Sequence, residues 1–381
     1  MKRLLILAII LLPCMASAQG NKLAMTPPMG WASWNKFGCK VSDAVVRAQA
    51  DAMASNGMRE AGYTYINIDD CWQGKRDANG VLQPNEKFPD MKALADYVHS
   101  KGLKLGMYTS PGPKTCARFE GSYQHEEQDA KMFADWGVDY LKYDWCTASD
   151  VYKLEQMPEV YKKMSDALKA TGRPIVYSIC QYGWNEVWKW GAAAGGNLWR
   201  TTGDIEPNFF SMVYIGMNQS GLEQYAGPGR WNDPDMLEVG NGRFTQNENR
   251  YHMSLWAMLS APLIAGNDLT QMKPEVLEVL TNKEVIAIDQ DPLGKQAKRI
   301  RQIGPLSIWV KEMSDGSRVV GFFSINGQPT KGSIDLKELG MGKRVQISDI
   351  WEKKDLGILE NSFSTAVPAR GVTLVRIAKA K

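Results

Sequence analysis

Short apolar runs alternate with longer amphipathic stretches through most of this chain, and that rhythm restricts the fold more than any other feature. The runs cover 29–34, 63–70, 104–110, 140–144, 174–180, 198–204, 231–236 and 261–266, each closing on polar or small residues. Between them, stretches such as 43–57, 90–101, 126–136 and 157–170 carry helical periodicity. Strand and helix in regular alternation call for a parallel sheet covered by helices. Eight such units match a (β/α)8 TIM barrel over residues 24–295. A doubly wound sheet is the competing arrangement, but no Gly-x-Gly-x-x-Gly follows the first strand to support a nucleotide site.

After DQDPLG (289–294) the helical periodicity nearly vanishes, and short strand candidates at 306–311, 318–325, 332–336, 344–350 and 371–377 are separated by turn residues. Residues 296–381 therefore read as a second domain, an antiparallel β-sandwich. At the other end, Lys2 and Arg3 precede an apolar stretch and the small-residue run Ala16-Ser17-Ala18. Residues 1–18 have the layout of a cleaved signal peptide, so the protein is expected to be exported, to the periplasm or beyond the cell. No later segment is apolar for long enough to span a bilayer. The formal net charge is +3, part of it from Lys2 and Arg3, which asks for neither nucleic acid nor an anionic membrane as partner. Beyond Cys14 the cysteines are Cys39, Cys71, Cys116, Cys146 and Cys180, an odd number, so an exported chain should hold disulfides and one free thiol. Three histidines (His99, His125 and His252), none at ligand spacing, and no Cys-x-x-Cys leave no metal site to expect.

In a barrel of this kind the C-terminal strand ends build the active site. Collected in order, they are Trp34, Asp69-Asp70, Tyr108, Lys142 with Asp144, Cys180 with Tyr182, Arg200 with Asp204, and Asp235. Aromatic rings, carboxylates and two cations suit a sugar, whose C–H faces stack on rings and whose hydroxyls take charge-assisted hydrogen bonds. Lys142 and Asp144 are two apart on one strand and share a face, so the ammonium should keep the carboxylate ionised. Strand parity likewise places Arg200 and Thr202 with Asp204. An ionised and a protonatable carboxylate are what glycoside hydrolysis requires, though spacing alone does not fix which two acids pair.

Eight segments then resemble glycoside hydrolase family 27 in that family's order: MTPPMGWASWNKFGC (25–39), YINIDDCW (65–72), GMYTSPGPKTC (106–116), FADWGVDYLKYDWC (133–146), WRTTGDI (199–205), GPGRWNDPDML (227–237), APLIAGNDL (261–269) and VIAIDQDPLGKQ (285–296). The likeness is to the family's α-galactosidases, or melibiases. It implies a barrel followed by a β-sandwich and a retaining, exo-acting hydrolysis of terminal α-D-galactosyl residues through a covalent galactosyl-enzyme, without a cofactor. By motif, Asp144 takes the place of the nucleophile and Asp204 that of the acid/base. Trp34, Asp69, Asp70, Tyr108, Lys142, Arg200 and Asp235 match residues lining the sugar pocket, and the aspartate pair would bind the 4- and 6-hydroxyls. The resemblance also implies disulfides Cys39–Cys71 and Cys116–Cys146, leaving Cys180 as the unpaired thiol beside the sugar.

Cys180 and Tyr182 fill the space where relatives that accept a 2-acetamido group carry small residues, which argues against an α-N-acetylgalactosaminidase. Tyr182 stands where a tryptophan is often found. Members resembling β-L-arabinopyranosidases carry a larger acid at one position of the paired carboxylates; plain Asp69-Asp70 favours galactose. A catalytically silent galactoside-binding protein is a further alternative, and the presence of both Asp144 and Asp204 argues against it.

Overall fold

In the computed structural model, which describes residues 23–342 and 344–380, the eight apolar runs form eight parallel strands. They are β1 Met29–Ala32, β2 Tyr65–Asn67, β3 Lys104–Thr109, β4 Tyr140–Asp144, β5 Val176–Cys180, β6 Leu198–Arg200, β7 Trp231–Asp233 and β8 Leu263–Ala265. From β1 to β7 each strand pairs with the next in sequence, and β8 pairs with β1 through Met29↔Leu263 and Trp31↔Ala265. Leu237, beyond the end of β7, pairs with Ala265 and closes the TIM barrel. The expected signal peptide, residues 1–18, lies outside the described residues.

Several strands are shorter than their apolar runs. Asp69, Asp70 and Asp204 lie past the last ladder pair of β2 and β6, on the turns that lead to the following helices. The helices begin where local chemistry supplies caps. Ser42 accepts a hydrogen bond from the Val45 N–H at the start of α1 (Asp43–Ser55), and Asp90 does the same for Ala93 in α2 (Met91–Ser100). The outer ring continues with α3 (Glu126–Trp136), α4 (Met157–Ala170), α5 (Phe209–Met217), α6 (Gln246–Leu259), α7 (Pro274–Leu280) and α8 (Lys283–Asp289).

From Lys298 onward the chain is antiparallel. The strands are β9 Lys298–Ile303, β10 Leu306–Glu312, β11 Arg318–Ser324, β12 Thr330–Asp335, β13 Arg344–Asp349, β14 Lys354–Glu360, β15 Ser362–Val367 and β16 Gly371–Lys379. Six of them form one sheet in the order β9-β10-β11-β16-β13-β14, and β12 pairs with β15 across a core of Ile308, Phe322, Ile334, Val345, Ile347, Phe363 and Val375. The opposite face of the larger sheet covers α6, a helix buried along most of its length. There the Tyr251 ring meets Phe323 edge-on at 5.0 Å, the Trp351 indole donates to Ser254 Oγ at 2.8 Å, and Lys311 Nζ donates to the Ala257 carbonyl at 3.1 Å and to Ser260 Oγ.

Candidate active site

The strand register delivers the expected residues to one end of the barrel. Tyr108 pairs with Lys142, Asp144 with Cys180, and Arg200 with Asp233, so the ends of β3 to β7 lie side by side. Together with the turns after β1 and β2 they enclose a pocket of about 240 Å3 lined by Trp34, Asp69, Asp70, Tyr108, Lys142, Asp144, Tyr182, Arg200, Asp204 and Asp235.

The deep side of the pocket is built on an ion-paired lysine. Lys142 Nζ is 2.9 Å from Asp69 Oδ2 and 3.9 Å from Asp144 Oδ2, and it lies over the Tyr108 ring at 5.3 Å. Burial by itself would lower its pKa; the neighbouring anions, Asp69 above all, outweigh that and raise it well above the ordinary lysine value. Asp70 is fixed by backbone donors: Cys71 N–H reaches Oδ1 at 2.7 Å and Ala117 N–H reaches Oδ2 at 2.8 Å. Asp144 is buried, and burial pushes its carboxyl up to about 6, against the pull of Lys142 and of the Tyr182 hydroxyl 2.5 Å from Oδ1. The ammonium therefore limits a shift that burial would otherwise make larger, and the group is mostly ionised at neutral pH.

The opposite wall rests on Arg200. Its Nη2 is 3.1 Å from Asp204 Oδ1 and 3.1 Å from Asp235 Oδ2, and it donates to the Thr202 carbonyl at 3.2 Å. Asp235, in a left-handed conformation with φ +81°, also accepts from the Ile205 N–H at 2.8 Å and so holds the turn that carries Asp204. Burial raises the Asp235 carboxyl and Arg200 opposes it. Asp204 differs in exposure from every other acid of this set: its side chain is 71% open to solvent, against 7% for that of Asp144. Its proximity to Arg200 comes from the turn beyond β6, rather than from the strand parity expected of an extended run.

Cys180 is placed differently from the expectation of a thiol beside the sugar. It is fully buried behind the wall, 3.7 Å from Arg200 Nη1, and the sulfur that reaches the pocket is that of Cys116. Both disulfides implied by the family resemblance are present, Cys39–Cys71 between the turns after β1 and β2 and Cys116–Cys146 between those after β3 and β4. Cys116, Cys146 and Asp144 bring their sulfur and carboxylate atoms within 4.8 Å of one another, but the two sulfurs are bonded together and offer no thiolate to a metal. Met236, at the end of the seventh apolar run, lines the pocket as well, and lining residues that the sequence reading passed over are Asn35, Ile205, Glu206, Pro207 and Glu238. Glu238 is buried and takes hydrogen bonds from Asn35 and, at 2.6 Å, from Asn241. Its only signal was proximity to the motif that ends in Leu237.

The sequence pattern described as "Alpha galactosidase A" fits residues 26–291, and that of the "Alpha galactosidase C-terminal beta sandwich domain" fits 303–377. The chain belongs to glycoside hydrolase family 27. Within that family it is 46% identical to the Alpha-galactosidase A of Cellvibrio japonicus, over 97% of this chain and 96% of the relative. It is also 46% identical to the Alpha-galactosidase of Cyamopsis tetragonoloba, over 91% and 85%. Among solved structures, α-galactosidase I of Mortierella vinacea superposes with a TM-score of 0.90 at 34% identity, covering 95% of this chain and all of the other. This family 27 member is an α-galactosidase, with the barrel and β-sandwich of its relatives.

Proposed function

We propose that this α-galactosidase is exo-acting and retaining, with Asp144 as nucleophile and Asp204 as acid/base. The observation that carries the reading is the contrast between the two acids. Asp144 lies buried beside Lys142 on the deep side of the pocket, whereas Asp204 stands on the solvent side, within 3.1 Å of Arg200. A galactosyl ring seated against Asp69, Asp70 and Lys142 turns its anomeric carbon toward Asp144 and its leaving oxygen toward Asp204. Asp144 then attacks C1 while Asp204 gives its proton to the departing oxygen. In the second step water takes the place of the leaving group, Asp204 accepts its proton, and the α configuration is restored.

Specificity for galactose follows from the acids at the base of the pocket. Asp69 and Asp70 would accept from the axial 4-hydroxyl and the 6-hydroxyl, and a glucosyl ring would leave a buried carboxylate poorly paired, at a cost of about 1–3 kcal/mol or more. Tyr182 crowds the region of the 2-substituent and disfavours a 2-acetamido group. The substrate class is terminal α-galactosides of oligosaccharides or polysaccharide side chains. Two disulfides beside the site suit an exported enzyme.

Hydrolysis of an aryl α-galactoside by wild type and by Asp144→Ala tests the first assignment: the variant should be inactive and recover a β-galactosyl azide product with added azide. An undiminished variant overturns it. Asp204→Ala should slow substrates with sugar leaving groups far more than activated aryl galactosides, because only the former depend on proton donation. Equal losses on both would count against Asp204.

A further inference from the structure

The turn after β5 is held in a conformation that ordinary residues avoid. Tyr182, Asn185 and Glu186 all have positive φ, +65°, +53° and +49°, a strain retained only where surrounding structure over-determines it. Part of that structure is Gly183, whose Cβ, were there one, would lie 2.1 Å from the Thr201 carbonyl. The turn is thus pressed against the segment that leads to Asp204. Its outcome is the placement of one phenol. The Tyr182 hydroxyl is 2.5 Å from Asp144 Oδ1 and 3.4 Å from Cys116 Sγ, and its ring meets that of Trp184 edge-on at 5.5 Å.

An ionised Asp144 has only lone pairs to offer and the disulfide sulfur has no proton, so the phenol is the donor. Burial pushes the Tyr182 hydroxyl above its ordinary value and keeps it protonated. We propose that Tyr182 is a positioning residue for the nucleophile: it holds Oδ1 so that Oδ2 attacks, and it stabilises the carboxylate as the galactosyl ester breaks. This rests on the assignment of Asp144 as nucleophile.

In the first displacement the bond from Oδ2 to C1 forms while that from C1 to the glycosidic oxygen breaks, and the Asp204 proton goes to the leaving oxygen. Oδ1 becomes an ester carbonyl, a weaker acceptor than a carboxylate. In the second, the oxygen of water bonds to C1, its proton goes to Asp204, and the C1–Oδ2 electron pair returns to the carboxylate. Charge reappears on Oδ1, where the phenol donates. Hydrogen bonds to charged acceptors are roughly twice as strong as neutral ones, so the phenol favours the second step over the first.

The test is Tyr182→Phe, which keeps the ring and removes the hydroxyl. The other titratable and charged groups facing Asp144 stay in place: Lys142 on its own strand, Asp69 after β2, Tyr108 on β3, Tyr161 on α4, Cys180 on β5 and Arg200 on β6. With an activated aryl α-galactoside the variant should show a burst of aryl release, a kcat lower by roughly tenfold or more, and a lower KM as galactosyl-enzyme accumulates. The acidic limb of kcat/KM should move to higher pH. No burst together with an unmoved limb overturns the proposal. So does an unmoved limb with selective loss of preference for galactoside over 2-deoxygalactoside, which would make Tyr182 a reader of the 2-hydroxyl. Asp144→Ala separates the two levels: full activity there defeats the nucleophile assignment, whereas an inactive Asp144→Ala beside a wild-type-like Tyr182→Phe defeats this proposal alone.

Discussion

Asp144, the proposed nucleophile, illustrates how a residue can serve chemistry at the expense of the fold. Its carboxyl goes from an ordinary 3.8 to about 6 on burial, a penalty of about 3 kcal/mol once both states are ionised. For a carboxyl raised in the folded state, stability is highest below the unfolded value and falls as pH rises through the folded one. Asp144→Asn, inactive, should therefore melt above wild type at pH 7, and the gap should close between pH 6 and pH 4; a gap independent of pH in thermal melts would refute this. The residue and its neighbours Lys142 and Tyr108 were legible because they sit on extended strands, where parity assigns faces. Asp204 was collected as the end of an extended run and given its role by motif, but strand parity does not apply to it, since β6 stops at Arg200 and the turn beyond it has no periodicity to read.

At the scale of elements, close approach between strands limits what the barrel accepts. Gly106 on β3 faces Asn67 at the end of β2, and a Cβ on it would lie 1.8 Å from Asn67 Oδ1. Because Asn67 leads directly into Asp69-Asp70, Gly106→Ala should cost about 1–3 kcal/mol and raise KM for aryl galactoside. Adding Asn67→Ala should return a good part of the stability, measured by denaturant unfolding; no coupling in that double-mutant cycle would contradict the argument. The sequence pattern revealed every barrel strand because these are buried on both faces and read as apolar runs. It missed β9, β14 and β15. β9 and β14 are the outer strands of the larger sheet and β15 belongs to the two-stranded one; β9 and β14 bury none of their side chains and β15 buries only Phe363 and Val367, so no apolar run marks them.

Across the whole molecule, α6 is the shared core. One side packs on the barrel, where the Trp256 indole donates to the Asp235 carbonyl at 2.8 Å, and the other packs on the sheet of the second domain. A helix buried from both sides ties the two domains together, so calorimetry should show a single endotherm with matching calorimetric and van't Hoff enthalpies. Lys311→Met, which takes the ammonium away from the Ala257 carbonyl of α6 and from Ser260 Oγ, and removes the cation nearest buried Asp289, should lower the midpoint of that transition by the equivalent of about 1–3 kcal/mol. Two separate endotherms in wild type would show the domains to be independent. The disulfides divide the pocket differently. Both join turns after β1 to β4, the half that carries Trp34, Asp69, Asp70 and Asp144, while the half with Asp204 is secured by the ion pairs of Arg200. Where the enzyme is made therefore matters to how it works: in a reducing compartment it would keep its barrel and its proposed proton donor but grip the sugar poorly, a defect that a folding assay would overlook and a substrate titration would expose.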